Sequence, residues 1–188
     1  MNTVTMRHGD CFELMRGIKD GSFDSVITDP PEGLVAKILP HAIRIARRAV
    51  VILDPQQFIH EENPRNWEPT TPLPNGEVYY LVRHMTHIGI GRARVWGYGT
   101  GRTTSVFPML CRTDIGDFAY HPGAKPIALW RELVMRYGGG SIFDPFAGIA
   151  GVGVAAKAAG KDFYGIEKNG AFYKLATERL GLKERVKA

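Results

Sequence analysis

Strand-length apolar runs that end in glycine, proline or aspartate, each followed by a helix-length segment, set the strongest constraint on how this chain can fold. Strand, turn and helix in repetition is the pattern of a parallel α/β sheet, because parallel neighbours need a crossover between them. Thr3 to Arg7 is predicted as a first strand ending at His8-Gly9-Asp10. A short helix carrying Phe12, Leu14, Met15 and Ile18 follows, closed by Asp20-Gly21. Phe23 to Thr28 (FDSVIT) is the next strand and runs directly into Asp29-Pro30-Pro31. Two prolines stop both sheet pairing and immediate helix formation, so the expected feature is a stiff turn at the strand's C-terminal end. Leu34 to Arg48 reads as a helix despite Pro40, and Ala49 to Leu53 as a buried strand.

The middle of the chain is less regular. Residues 54–76 contain Pro55, Pro64, Pro69, Pro72 and Pro74 with Asn63, Asn66 and Asn75, which predicts a long irregular loop. Val78 to Arg83 and Ser105 to Cys111 read as two further strands, separated by GIGRARVWGYGTGRTT. That segment has two readings. Arg92, Arg94 and Arg102 with Trp96 and Tyr98 suit a mobile nucleic-acid-binding loop, since guanidinium groups and rings match phosphates and bases; the same residues also suit a solvated hairpin tip. His84 and His87 are three apart in a strand-like stretch and so lie on opposite faces, which argues against a metal pair. In the last third, Lys125-Pro126 opens a helix (IALWRELVMRYG), followed by the strand SIFD, a glycine-rich turn with a small-residue helix (FAGIAGVGVAAKAAG), the strand DFYGIE and a final helix from about Ala171 to Leu180.

No internal repeat or linker divides the chain, and 188 residues with 44% hydrophobic content can bury one core, so a single domain over 1–188 is expected. A net charge of +5 and a pI near 9.3 suit a polyanionic partner through counterion release, although many proteins are mildly basic. Cys11 and Cys111 stand without CxxC or Cys/His spacing, which argues against zinc and against a disulfide scaffold; both read as reduced packing residues, and no metal is expected. The first residues lack the apolar stretch of a signal peptide, and no run approaches the roughly 18 apolar residues of a membrane span, so the expected location is cytoplasmic.

Two turns carry chemistry. In Asp144-Pro145-Phe146-Ala147-Gly148-Ile149-Ala150-Gly151, glycine lets the backbone approach a ligand over the carboxyl ends of parallel strands, though glycine also permits simple close packing. Glu167 ends the next strand, where a carboxylate can accept from both ribose hydroxyls of a nucleoside cofactor or, alternatively, serve a helix start. Asp29-Pro30-Pro31 suits activation of an exocyclic amino group, whose lone pair is delocalised into its ring. A carboxylate and a rigid carbonyl accepting its N–H bonds localise that lone pair toward a methyl donor. The plainer alternative is an ordinary Asp-Pro turn.

TDPP (Thr28 to Pro31), HPGAKP (His121 to Pro126), FDPFAG (Phe143 to Gly148) and GIE (Gly165 to Glu167), with Gly9-Asp10 ahead of them, resemble the ordered motifs of the β-class DNA amino-methyltransferases over about residues 5–55 and 118–182. The resemblance implies a Rossmann-like, doubly wound, mostly parallel sheet with an antiparallel hairpin edge. It divides the domain into a catalytic half (about 1–54), an insertion for target recognition (about 55–117) and a cofactor-binding half (about 118–188). It implies S-adenosyl-L-methionine as cofactor, with Asp10 at its adenine end, Glu167 on its ribose, and Cys11, Asp144, Phe146, Ala147, Gly148, Gly151 and Lys168 around the pocket. Lys125 resembles the family lysine near the cofactor carboxylate. Asp29 and the Pro30 carbonyl would hold the target amino group beside Pro31, and the leading aspartate is similar to adenine-modifying members.

Two departures bear on activity. Glu32 stands where the family places an aromatic that stacks on a flipped base, so either another aromatic (Trp96, Tyr98 or Phe58) takes that role, or the enzyme is weak, altered in substrate or inactive. GIAGVG replaces the usual GSGTT and removes hydroxyls. The expectation is a DNA adenine-N6 methyltransferase of restriction-modification or phage type, acting on duplex or single-stranded DNA as a homodimer or with a partner subunit. The alternatives are a catalytically impaired methyltransferase-like subunit and an RNA or nucleotide methyltransferase.

Overall fold

Side-chain alternation along each strand divides the apolar residues between two cores, one on each face of the sheet. The computed structural model describes residues 2–31, 33–54, 77–85, 91–98, 103–109, 121, 124, 125 and 127–182, with side chains throughout except over 53–109. Glu32, Phe58, His87, Arg102, Cys111 and the loop expected at 55–76 lie outside the described residues. In chain order the elements are β1 (Val4–His8), α1 (Cys11–Leu14) continued by a 3-10 turn (Met15–Gly17), β2 (Phe23–Thr28), α2 (Val35–Ile45), β3 (Ala46–Asp54), β4 (Glu77–Met85), β5 (Gly91–Tyr98), β6 (Thr103–Met109), α3 (Ile127–Tyr137), β7 (Ser141–Asp144), α4 (Gly151–Ala158), β8 (Asp162–Glu167) and α5 (Gly170–Arg179).

The strands form one sheet in the order β1-β8-β7-β2-β3-β4-β5-β6. Every pairing from β1 through β4 is parallel, and β4, β5 and β6 are antiparallel to one another in turn. Val26, Val50, Ile52 and Phe143 pack with α1 and α2 on one face, whereas Ile27, Val51, Ile142 and Phe163 pack with α3 and α4 on the other. This is the double winding expected from the sequence, with its antiparallel edge. Among the described residues no helix is long and apolar enough to cross a membrane, and no group of three or more His, Cys, Asp or Glu is placed to hold a metal ion.

The structure corrects three element assignments. The helix expected to reach Arg48 ends at Ile45, and β3 begins at Ala46 without a loop. Parallel pairing with β2 extends β3 back to Ala46, and Arg47 reaches across to Asp24 of β2 with Nη2–Oδ1 at 2.8 Å, so tertiary pairing overrides helix periodicity there. Within α2 the buried positions Val35, Ile38, Leu39, Ala42 and Ile43 form one stripe, and Pro40 sits on the exposed side.

The second correction concerns the Gly- and Arg-rich segment. Neither a mobile loop nor a hairpin tip, Gly91–Tyr98 is strand β5, paired on both sides, with Val82 opposite Arg94 and Tyr80 opposite Trp96. Arg92, Arg94, Trp96 and Tyr98 alternate with Ala93, Val95 and Gly97, a period of two that the glycine and arginine content obscured. Third, the outer strand expected from Ser105 begins at Thr103 and ends at Met109.

Candidate functional site

Parallel strands carry their C-terminal ends to one edge of the sheet, and four adjacent ends meet there: β1, β8, β7 and β2. Each leads into a segment bearing polar groups. Gly9-Asp10 follows β1, Glu167 ends β8, Asp144 ends β7 ahead of the glycine turn, and Asp29-Pro30-Pro31 follows β2. Between them lies a cavity of about 760 Å³ lined by Asp10, Cys11, Asp29, Pro30, Pro31, Lys125, Asp144, Phe146, Ala147, Gly148, Gly151, Glu167 and Lys168. Every described residue expected at the catalytic or cofactor site is therefore on one cavity wall. The strand that carries Arg92, Arg94, Trp96 and Tyr98, β5, is separated from β2 in the sheet by β3 and β4.

Hydrogen bonds between backbone and carboxylates shape the cavity. Asp10 caps α1, its Oδ1 accepting from Phe12 N at 2.9 Å, and its Oδ2 accepts from Lys168 Nζ at 3.1 Å. The Lys168 ammonium holds the Asp10 carboxyl below its ordinary range, with the amides of Phe12 and Glu13 helping it against the opposing effect of burial. Glu167 Oε2 accepts from Gly148 N at 2.8 Å and Oε1 from Asn169 N at 2.6 Å, so this carboxylate ties the glycine turn to the start of α5. Gly148 has φ +53°, a conformation that favours glycine, and a side chain there would meet His121 Nε2 at 3.4 Å.

Asp144 is 2% exposed. Its Oδ1 accepts from Thr28 Oγ1 at 2.7 Å and from Phe146 N at 3.1 Å. Burial pushes its carboxyl up to about 7, outweighing those two bonds, and the nearby charges of Asp29 and Glu167 push the same way. Its Oδ1 is thus committed to the protein framework. Lys125 Nζ donates to Asp29 Oδ2 as an ion pair whose side chains are 8% and 22% exposed, which places the lysine on the carboxylate expected to be catalytic. Cys11 is buried with a free thiol, and loss of water pushes that thiol up to about 12, with Asp10 and Glu167 adding to the shift.

Sequence reasoning passed over several wall residues. His121 opens the HPGAKP string, yet no role was read from it; its ring lies 4.4 Å from that of Phe172, and burial holds its imidazole below the usual range. Trp130, read only as part of a helix, lines the cavity against Gly151. Arg179 closes the far side, its Nη1 donating to Ile149 O at 3.0 Å. Asn169 caps α5, and the Asn-Gly pair after Lys168 was the available signal for it.

Residues 60–178 match the model of the N6/N4 DNA methylase family, described as DNA methylase. The Escherichia coli (strain K12) DNA adenine methyltransferase YhdJ is 34% identical over 84 residues, 44% of this chain and 28% of that protein. The Haemophilus influenzae type II methyltransferase M.HindIII is 36% identical over 91 residues, 47% of this chain and 29% of that protein. The matched stretch thus spans under a third of the length of either relative. The crystal structure of an M1.HpyAVI–SAM complex superposes with a TM-score of 0.65 at 16% identity, covering 96% of this chain and 100% of that one. That likeness establishes the Rossmann-like methyltransferase fold. With the family model matching well over half of its length, the chain belongs to the N6/N4 DNA methylase family.

Proposed function

We propose that this chain is an S-adenosylmethionine-dependent methyltransferase acting on a nucleobase amino group, adenine N6 in DNA. The observation that carries this reading is the single cavity shared by Asp29-Pro30-Pro31 and the turn from Asp144 to Gly151. Cofactor and target must meet within one enclosed space for in-line transfer, and tips of adjacent parallel strands supply it. The residues present fit the cofactor. A cavity of about 760 Å³ lies in the range of ligand pockets. Glu167 already holds one backbone donor on each oxygen, and a carboxylate has about four acceptor positions, so the two hydroxyls of a ribose find acceptors there.

When bound, the cofactor supplies an electrophilic methyl group on a sulfonium. In this reading Asp29 and the Pro30 carbonyl accept the two N–H bonds of the target amino group, turning its lone pair toward the methyl. The proline ring holds that carbonyl still, so no reorganisation is needed during reaction. In this reading Asp10, with Lys168 beside it, would hold the adenine end, Lys125 would lie near the cofactor carboxylate, and Phe146, Ala147 and Gly151 would line the pocket; all six are on the cavity surface. Arg92, Arg94, Trp96 and Tyr98 occupy alternate positions of β5 and form the candidate nucleic-acid strip, joined in sequence by Arg102. DNA, duplex or single-stranded, is the partner, with a second copy or another subunit supplying recognition surface in a cytoplasmic setting.

A second reading has one observation in its favour. Glu32 stands where the resembling family carries a stacking aromatic, which suits a methyltransferase-like subunit that has lost turnover. Transfer of tritiated methyl groups to duplex DNA, single-stranded DNA, RNA and free nucleotides, with digestion to locate the modified base, decides among these. N6-methyladenine in DNA is the expected product. Cofactor binding by calorimetry without transfer to any acceptor, even after Glu32→Tyr, would overturn catalysis and favour the subunit.

A further inference from the structure

The floor of the cavity concentrates negative charge. Asp29, Asp144 and Glu167 all line it, and Asp144 is close enough to both of the others for their charges to raise its carboxyl. A carboxylate in such surroundings is driven to take up a proton, and a protonated Asp29 would lose its strength as an acceptor for an amino N–H. The structure places a buried cation on it. Lys125 Nζ pairs with Asp29 Oδ2, and the lysine side chain is 8% exposed. Ala124, beside it, is buried and accompanies it on the cavity wall. His121, whose ring feels Glu167, Lys125 and Asp29 at once, has its imidazole held below the usual range by burial, which disfavours its charged form.

We infer that Lys125 is a positioning residue for Asp29, keeping its carboxylate charged and aimed into the cavity as a hydrogen-bond acceptor. This assigns the lysine to the catalytic aspartate in addition to any contact with cofactor, and it rests on the reading of Asp29 given above. Among the described residues, the groups whose charges couple to Asp29 include Lys125, His121 and Asp144; Glu32 follows after two prolines in sequence. Lysine pairs with Asp29 as a point charge, so arginine preserves the charge while methionine and glutamine remove it at similar length.

The test is a carboxyl-carbon NMR titration of Asp29 in the ligand-free protein, the resonance assigned by its loss in Asp29→Asn. It is combined with the pH profile of kcat/KM for methyl transfer. In Lys125→Met and Lys125→Gln the Asp29 midpoint should rise by about 1–3 pH units, the range expected for loss of a contacting cation, and in Lys125→Arg it should stay near the wild-type value. The acid limb of kcat/KM should move with it. Equal midpoints in wild type, Lys125→Met and Lys125→Gln would overturn the inference, as would an unmoved acid limb in variants that have lost only cofactor affinity. Because the NMR arm needs neither cofactor nor nucleic acid, a shifted midpoint in a protein without methyl transfer would defeat the functional reading and leave the ion pair's role standing.

Discussion

Thr28 Oγ1 donates a 2.7 Å hydrogen bond to Asp144 Oδ1, joining the tip of β2 to the tip of β7 through two buried side chains. Asp29 follows Thr28 directly, and the same Asp144 oxygen accepts from Phe146 N at 3.1 Å in the glycine turn. One acceptor therefore sets the spacing between the strand end that presents Asp29 and the turn that presents Gly148. Thr28→Val keeps the shape and removes the donor, and it should cost about 1–2 kcal/mol in urea unfolding. Turnover should fall more than cofactor affinity, because the spacing matters most when both ligands are held. Thr28→Ser should recover most of both. Unchanged stability and turnover in Thr28→Val would show that the strut is idle.

Asp144 makes a signed prediction about pH. Its carboxyl is raised from 3.8 to about 7 on folding, chiefly by burial, so the folded protein keeps a proton that the unfolded chain releases. A carboxyl raised in this way has no effect below pH 3.8, destabilises progressively as pH climbs from 3.8 to 7, and levels off above. Asp144→Asn retains an oxygen acceptor for Thr28 and Phe146 but does not titrate. The stability of the variant relative to wild type should thus rise between pH 4 and 7, by up to about 1.4 kcal/mol per pH unit. A flat difference across that window would mean that hydrogen bonding, not burial, governs the group.

The order of strands and helices was legible because apolar runs and their breakers are local signals, as with FDSVIT ending at Pro30 or SIFD ending at Pro145. The meeting of Asp10, Asp29, Asp144 and Glu167 at one cavity was legible for a related reason, since each ends a strand or closely follows one, and parallel winding carries strand ends to one edge. What sequence could not reveal is pairing at a distance. Arg47 was read as helical because nothing near it in sequence announces Asp24 as its partner. Strand β5 was hidden by its glycines, although its alternation of arginine and small apolar residues was present to be counted. Lys125 was assigned from resemblance to the cofactor alone; its pairing with Asp29 spans 96 positions and appears only in three dimensions. His121, Trp130 and Arg179 reach the cavity from helices or loops whose chemistry has no local mark.

Glu167→Ala should weaken cofactor binding first. It deletes the carboxylate proposed for the ribose and leaves Gly148 N and Asn169 N without their acceptor, so the turn and the start of α5 should both loosen. Two charge-assisted bonds lost suggest a 10- to 100-fold rise in Kd, about 1.4–2.7 kcal/mol, read by calorimetry. Glu167→Gln keeps one oxygen and should lie between. Cofactor affinity equal to wild type in the alanine variant would remove Glu167 from the site.

Asp29→Ala should abolish transfer while keeping cofactor Kd within about threefold, since its interaction with the amino group counts in the transition state. The same change strips Lys125 of its buried partner, so some loss of stability accompanies it, and Asp29→Asn separates the two effects by retaining bulk. A parallel loss of cofactor affinity in both variants would mean that Asp29 holds the cofactor and not the target.

Ala150 has φ +59°, is fully buried and precedes α4 without a side-chain cap. A left-handed alanine carries about 1–2 kcal/mol of strain, which glycine would relieve. Against this, Ala150→Gly removes a buried methyl worth about 0.8 kcal/mol and gives the unfolded chain about 0.4–1 kcal/mol of added freedom. The opposing contributions nearly cancel, so the variant should unfold within about 0.5 kcal/mol of wild type. Ala155, equally buried but inside α4 with ordinary helical geometry, has no strain to release. Ala155→Gly should cost about 2 kcal/mol from the lost methyl together with glycine's poor helix propensity. Gly148→Ala runs in the opposite sense: it forces φ +53° on alanine and brings a methyl to 3.4 Å from His121, so it should destabilise by about 1–2 kcal/mol and weaken cofactor binding alongside. Thermal unfolding of the three variants separates these cases, and equal losses in Ala150→Gly and Ala155→Gly would show that the turn stores no strain at Ala150.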